Sequence, residues 1–288
     1  MVGFENHFQK YIAALALCLP AGLARADFKS FAHIYPYFTQ PQGGLEVEVW
    51  SGFETASDPL GYLHDFAQHT LLQEQVEVEY GITDHWDVSL YSVLEEQAPL
   101  AAGQPSPLEF DSFQVETRYR FAEKGKWPVD TELYLEIERP VDLTQPFELE
   151  GKLILAKDIH HFFVQANLIE EETLQSGAAF GWDLGLYAGA GYEIRPWIRV
   201  GLEALEEYQH PAFTGTVPAQ ETLHLGPSIA LASSRLWFVI TPAFRVLATP
   251  TTPYASGSTA AGGFPSTYAN AEVGSDLRLL AIFGVTLN

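Results

Sequence analysis

Three kinds of feature are scarce in this chain, and each scarcity excludes a class of protein. The only cysteine among the 288 residues is Cys18, so disulfide frameworks and thiolate metal sites are excluded. After residue 27, no apolar run reaches the roughly 18 residues that a membrane-spanning helix needs. Lysine and arginine number 15 against 37 aspartates and glutamates, which gives a net charge of −22. Such a chain would repel phosphates, so we expect no nucleic-acid partner.

The amino-terminal stretch has the pattern of a secretory signal peptide. Lys10 supplies positive charge, residues 11–23 form a short apolar core, and residues 24–26 form a small-residue cleavage site. We therefore expect residues 1–26 to be removed and the protein to be exported through an oxidising compartment. Cys18 lies within this signal, so the exported chain would contain no cysteine.

Strict alternation of apolar and polar residues dominates the rest of the chain. Between residues 73 and 82, Val76, Val78 and Tyr80 share one parity, and glutamines and glutamates take the other. Successive side chains of a strand point to opposite faces, so this segment has one apolar and one polar face. A tight turn at residues 83–85 follows and the alternation resumes to residue 94, which predicts a β-hairpin.

The same pattern recurs and predicts twelve strands. Short connections, such as 83–85 and 193–196, alternate with long ones, such as 207–221 and 248–274. Tight periplasmic turns and longer extracellular loops are typical of outer-membrane barrels. We therefore predict an all-β fold, a single transmembrane antiparallel β-barrel of twelve strands within residues 45–288. The approximate strand ranges are 45–54, 73–82, 86–94, 110–121, 129–139, 147–157, 162–170, 180–192, 197–206, 222–231, 236–247 and 275–287.

Residues 27–44 precede the first predicted strand and lack its alternation. They contain two prolines and a cluster of aromatic residues. The sequence allows this stretch either to extend as a periplasmic tail or to fold back against the barrel. We assign it as a periplasmic lead segment.

Glycines occupy one face of the eighth predicted strand. Gly185, Gly189 and Gly191 share the polar parity, and the opposite parity carries alanines and leucines. Glycine on one face of a strand predicts the close approach of another group to that face, or strong local curvature.

Two considerations place the polar face in the lumen and the apolar face against lipid. A lumen of twelve strands is too wide for apolar side chains to fill, since about eight strands already enclose a small ligand. The polar face is also rich in glutamate and arginine, which suits an aqueous or salt-bridged interior. The opposite orientation would describe a soluble lipid-binding β-protein. The predicted lumen-lining residues are Glu46, Glu48, Glu77, Glu79, Glu116, Arg118, Arg120, Glu132, Glu136, Glu138, Glu148, Glu150, Lys152, Arg199, Glu203, Arg245 and Arg278.

Aromatic residues cluster beside the short connections. A ring of amphipathic aromatics is expected where a barrel meets the membrane–water interface. We therefore expect outer-membrane lipid and lipopolysaccharide to surround the protein. The predicted girdle comprises Tyr80, Trp86, Phe121, Trp127, Phe162, Tyr192, Trp197 and Trp237.

The composition of the predicted lumen supports two functions. A surplus of carboxylates favours a passive channel for small solutes with a preference for cations. Cross-strand pairs of glutamate and arginine would instead close the lumen of a structural or adhesion barrel. A soluble lipid-binding β-protein is the third hypothesis.

The sequence gives no sign of an enzyme. Outer-membrane phospholipases place a histidine and a serine two residues apart on one strand, and this chain has no such pair. His224 and Ser228 are four residues apart, about 13 Å along a strand, which is too far for a nucleophile and its base. We predict no catalytic residue, cofactor or metal site. Residues 170–172, three consecutive glutamates, are expected in a solvated loop rather than in a Ca²⁺ site.

Residues 80–88, Tyr-Gly-Ile-Thr-Asp-His-Trp-Asp-Val, resemble a hairpin motif of many Gram-negative outer-membrane barrels. Among these barrels is the family associated with the meta-pathway of phenol degradation. Residues 192–197 form a variant of the same turn. The resemblance implies an outer-membrane protein that takes up small, hydrophobic compounds. Because that family has no catalytic residues, the resemblance implies none in this chain.

Overall fold

The described residues form one closed antiparallel barrel. The structure, a computed structural model, describes residues 28–55, 70–96, 108–174, 181–210, 220–249 and 277–287. Each strand pairs with its neighbours in the chain, and the first pairs with the twelfth, which confirms the predicted fold class. None of the described residues belongs to a helix long and apolar enough to cross a bilayer. The strands are β1 (Leu45–Thr55), β2 (Thr70–Thr83), β3 (Trp86–Glu96), β4 (Leu108–Arg120), β5 (Asp130–Pro140), β6 (Phe147–Ile159), β7 (Phe162–Leu174), β8 (Gly181–Arg195), β9 (Ile198–His210), β10 (Gln220–Ala232), β11 (Leu236–Thr249) and β12 (Leu277–Thr286).

The two ends of the barrel differ in their connections. At one end, the short-turn end, the strands are joined by residues 84–85, 121–129, 160–161, 196–197 and 233–235. At the other, the loop end, residues 141–146 are the described connection, and the remaining predicted loops lie outside the described residues, as does the predicted signal peptide. The predicted acidic loop is wrong, because residues 170–172 belong to β7.

The strands are long enough to span a membrane. They contain 10 to 15 residues. At about 3.3 Å per residue and a tilt near 40°, strands of this length cross the roughly 25 Å apolar band of an outer-membrane barrel.

Apolar side chains cover the outside of the barrel and carboxylates line its inside. Val76, Leu135 and Leu186 are 39%, 51% and 41% exposed on the outer face. Glu77 and Glu132, on the opposite parity, are buried within the lumen. This orientation is that of a transmembrane barrel, and it is the reverse of what a soluble lipid-binding β-protein requires.

Residues 28–44, hereafter the lead segment, lie inside the lumen. Phe31, Ile34 and Tyr37 are 0%, 1% and 2% exposed. The assignment as a periplasmic segment is therefore corrected for the described residues, because they fold back into the barrel. Burial of these large apolar side chains offsets the entropy lost when the segment becomes ordered.

The glycine face of β8 and β9 receives the lead segment. A Cβ atom on Gly189 would lie 2.7 Å from the ring of Phe31 and 2.8 Å from Ile34. A Cβ atom on Gly201, in β9, would lie 2.5 Å from the same ring. The predicted close approach is confirmed: the lead segment approaches Gly189, and side chains of β7, Phe163 and Ile169, approach Gly191 and Gly185.

Trp237 is the exception among the predicted girdle residues. The other seven project outward near the short-turn end and are 39–63% exposed, but Trp237 is 2% exposed and lies in the lumen. Its position in β11 is on the inward parity with Val239, and its indole packs over Gly284 of β12, where a Cβ atom would clash with it. Its Nε1 donates to Glu46 at 3.2 Å. The glycine opposite it provides the space that makes inward placement favourable.

Candidate functional site

A continuous row of acidic positions crosses eight strands on the inner wall. Residues that pair across neighbouring strands follow one another from β1 to β8, and all but one of them are acidic. Because strands in a barrel are staggered, such a row climbs the wall. It runs from the short-turn end of β1 to the loop end of β8. The row, hereafter the acidic row, consists of Glu46, Glu79, Ser89, Glu116, Glu136, Glu150, Glu171 and Asp183.

A second set of carboxylates pairs beside the acidic row. Glu48 pairs with Glu77, and Glu138 pairs with Glu148. Like charges directly opposite one another on neighbouring strands are destabilising. The wall therefore needs cations close to these carboxylates, either from its own side chains or from solutes.

Arg118 supplies that cation in the short-turn half. Its guanidinium pairs with Glu79, with Asp87 at 2.8 Å and with Glu116 at 3.0 Å. All four side chains are at most 2% exposed, so the charges are almost fully removed from water. A buried cluster of this kind is stable only while each charge keeps its partners.

Cations in the loop-end half are also buried, but their carboxylate partners are 13–21% exposed. Lys152 pairs with Glu150 at 2.6 Å. Arg278 donates two hydrogen bonds to Glu207, at 2.5 and 2.8 Å, and lies 3.6 Å from Glu54.

The predicted lumen-lining residues all occupy inward-facing positions of their strands. Eleven of these seventeen residues are buried, and six are partly buried. Fully buried residues are Glu46, Glu48, Glu77, Glu79, Glu116, Arg118, Glu132, Lys152, Arg199, Glu203 and Arg278, and partly buried ones are Arg120, Glu136, Glu138, Glu148, Glu150 and Arg245.

Polar side chains of the wall hold the backbone of the lead segment. Asn167 accepts from the N–H of Tyr35 at 2.7 Å and donates to its carbonyl at 3.1 Å. The carboxylate of Glu203 accepts from the N–H groups of Ala32 and His33 at 2.9 and 3.1 Å. The segment thus obtains from side chains the hydrogen bonds that a strand obtains from its neighbour.

The β2–β3 hairpin binds the carboxy-terminal part of the lead segment, near the short-turn end of the lumen. The carboxylate of Asp87 accepts from the N–H of Gln40 at 2.9 Å, and that of Asp84 accepts from Gln42 at 2.9 Å. A Cβ atom on Gly81 would clash with the carbonyl oxygen of Pro41. These three positions belong to the hairpin motif at residues 80–88. The motif therefore binds the backbone of the lead segment.

Tyr37 closes the lead segment against the short-turn end. Its hydroxyl donates to the carbonyl of Ala122. Burial raises the pKa of the Tyr37 phenol, and the neighbouring Arg120 guanidinium partly opposes that rise. The phenol is therefore a neutral donor at physiological pH.

Three buried carboxylates come close enough to resemble a metal site. Oxygen atoms of Glu46, Glu48 and Glu79 lie within 4.8 Å of one another. Each already has a partner, however: Glu46 accepts from Trp237, Glu79 pairs with Arg118, and Glu48 pairs with an ammonium of the lead segment at 3.0 Å. The cluster is explained by these contacts.

Sequence reasoning missed the residues that join the segment to the wall. Asp87 and Asn167 lie on the inward parity of β3 and β7, beside the predicted lining residues, which include neither an aspartate nor an asparagine. The inward parity alone would have identified them.

The barrel is similar to solved outer-membrane proteins at low sequence identity. An outer-membrane channel from Pseudomonas putida F1 matches with a TM-score of 0.59 and 11% identity, over 88% of this chain and 100% of that one. The NanC porin matches with a TM-score of 0.53 and 8% identity, over 84% and 100% of the two chains. No family model and no curated protein matches the sequence. At such identities the likeness establishes the fold, which is that of Gram-negative outer-membrane β-barrels.

Proposed function

We propose that the protein is a passive channel of the bacterial outer membrane for small solutes, that it prefers cations, and that the lead segment closes it. The observation that carries the proposal is the acidic row, which leads along the wall from one end of the lumen to the other. Rings and rows of carboxylates give a lumen a negative potential, which attracts cations and repels anions. This wall suits charged solutes better than the hydrophobic compounds that the hairpin resemblance implies.

Residence in the outer membrane follows from the outer face. An exposed apolar band with aromatic side chains at the short-turn end suits outer-membrane lipid, with lipopolysaccharide at the loop end. Phe162, Trp197 and Tyr80 are the most exposed members of this girdle.

The closed state is reversible in principle because non-covalent contacts hold the segment. Hydrogen bonds from Asn167, Glu203 and Asp87 fix it, and a segment held this way opens by an order–disorder transition. Withdrawal would expose the short-turn half of the acidic row to water and connect the two ends of the lumen.

Planar-bilayer recording tests the channel directly. The purified protein in a KCl gradient should give a current that reverses near the potassium equilibrium potential. Replacing Glu136 and Glu150 by glutamine should shift the reversal potential toward zero, since both face the lumen in the acidic row. A current that reverses near the chloride equilibrium potential would contradict the proposed cation preference.

A disulfide lock tests the role of the lead segment. The hydroxyl of Ser228 donates to the carbonyl of Ser30 at 3.0 Å, so the two residues are in contact. With Ser30→Cys and Ser228→Cys together, oxidation should abolish the current and reduction should restore it. Ser30→Cys alone, the matched control, should show no dependence on redox conditions. If the verified crosslink leaves the current unchanged, the segment is not the gate.

A closed structural barrel is the second candidate, and the filled short-turn half favours it. Arg118 already pairs with three carboxylates in that part of the wall. This candidate predicts no current even from Asn167→Ala, which weakens the attachment of the segment. A current from that variant would exclude it.

A further inference from the structure

One cation in the lumen comes from the lead segment itself. Lys29 is 4% exposed, and its Nζ lies 3.0 Å from a carboxylate oxygen of Glu48. The same ammonium lies 3.7 Å from the centre of the Trp50 ring and 4.7 Å from that of Tyr35. A carboxylate and two aromatic faces therefore surround it, which is more than an ion pair needs.

Contacts within the wall also hold the carboxylate and the indole, in addition to the packing of Trp50 against Tyr35 with centroids 5.9 Å apart. Glu48 and Trp50 lie on β1, and the indole Nε1 of Trp50 donates to Glu77 of β2 at 3.1 Å. The ring of Tyr91, on β3, packs edge-on against Trp50 with centroids 6.4 Å apart. These contacts orient the indole face toward the lumen, so it would stay in place if Lys29 left.

A carboxylate next to a buried indole face recognises a particular chemistry. Indole attracts cations through its quadrupole, and the attraction is largest for cations that shed their water easily. Organic ammonium groups meet that condition better than strongly hydrated inorganic ions. Glu48 adds charge and accepts a hydrogen bond from an N–H donor.

We propose that Glu48 and Trp50, with Glu77 as a positioning residue, form a binding site for small organic ammonium solutes. Lys29 is its internal occupant. The inference rests on the proposed channel, because it names the class of solute that the channel would carry. A tethered ammonium has a high effective concentration, so it holds the site closed against dilute solutes.

The site is tested by removing its internal occupant. The full chain with Lys29→Met keeps the length of the side chain and loses the ammonium. Isothermal titration of the detergent-solubilised variant with ethylammonium should show binding about tenfold tighter than that of the unchanged protein, since the internal competitor is gone. Adding Trp50→Leu to this variant should remove the gain, and sodium should not reproduce it.

Two further variants make the result specific. Lys124→Met, the matched control, removes an exposed lysine at a short turn that pairs with Asp158 at 3.1 Å, and it should bind ethylammonium like the unchanged protein. Lys29→Gln is a second neutral replacement, to be used if heat-modifiable migration shows that Lys29→Met is not folded.

Each outcome decides between the two proposals. Equal binding of sodium and ethylammonium, or no gain in the Lys29 variants, would overturn the ammonium site. Binding needs no current, so a site that binds ethylammonium in a barrel that conducts nothing would overturn the channel and leave the site. A cation current without ethylammonium binding would overturn the ammonium site and leave the channel.

Discussion

The two halves of the lumen are built from the same residue types, yet they behave as different environments. In the short-turn half, Arg118 and its carboxylate partners are at most 2% exposed. In the loop-end half, Arg278 pairs with Glu207 and Glu54, which are 13% and 21% exposed. The strand alternation is equally strict in both. The lead segment contributes to this difference, because it reaches the Arg118 cluster, where the N–H of Gln40 donates to Asp87 at 2.9 Å.

This difference explains why composition supported two functions at once. A salt-bridged interior describes the short-turn half, where charges are desolvated and interact strongly. An acidic, water-accessible passage describes the loop-end half, where solvent screens the same charges. Each hypothesis therefore rests on a different part of the wall.

The largest expected contrast comes from the two arginines. Arg118→Met leaves Glu79, Asp87 and Glu116 buried without their cation, and breaking a buried charge cluster typically costs about 3–5 kcal/mol. Arg278→Met removes a cation that is itself only 7% exposed, but its partners Glu207 and Glu54 are 13% and 21% exposed, so it should cost less than Arg118→Met. Urea unfolding in lipid vesicles would measure both free energies of unfolding. Equal losses would mean that the lead segment does not desolvate the short-turn half.

A smaller contrast concerns the attachment of the lead segment. Asn167→Ala removes two hydrogen bonds to Tyr35, at 2.7 and 3.1 Å, and should destabilise the seated segment by about 1–3 kcal/mol. Amide hydrogen exchange of residues 28–44, measured by mass spectrometry, should then become faster while exchange in the strands stays unchanged.

Gln114→Ala is the matched control for that experiment. Its amide donates to Glu138 at 2.7 Å in the loop-end half, away from the segment. Exchange of the segment should be unaffected. Faster exchange in both variants would mean that the barrel, and not the attachment, has been loosened.

The strands were predictable because the period of two appears in the sequence itself. The predicted hairpin turn at residues 83–85 overlaps the observed turn at 84–85, and most strands differ from the prediction by a few residues at the loop end. Paired strands extend beyond the apolar band, as β7 does, so polar residues such as Glu171 still belong to the ladder. Hydrophobicity does not mark that extension.

The location of the lead segment was not predictable in the same way. It has no period, and its partners Asp87, Asn167 and Glu203 are widely separated in the sequence. The glycines of β8 were the one local signal, because they showed that something approaches the wall there. They could not show which part of the chain it was.

The smallest expected contrast separates two tryptophans near the same end of the barrel. Trp237 and Trp197 both flank short turns, so closeness to a turn cannot tell lumen from membrane. The parity of each residue in its strand does distinguish them. Trp237 donates to Glu46 in the lumen at 3.2 Å, and Trp197 is exposed on the outside. Trp237→Phe should therefore cost about 1–2 kcal/mol, because one oxygen of Glu46 loses its donor while Thr286 still donates to the other, and Trp197→Phe should cost much less.

Quenching by brominated lipid gives the same contrast without unfolding the protein. Trp197→Phe should reduce the fraction of tryptophan emission that the lipid quenches, because a lipid-facing indole has been removed. Trp237→Phe should raise that fraction slightly, because an indole shielded by the wall has been removed. If both substitutions reduced it, Trp237 would face lipid, and the inward parity of β11 would be wrong. The lumen would then lose one of the residues that fix the acidic row at its short-turn end.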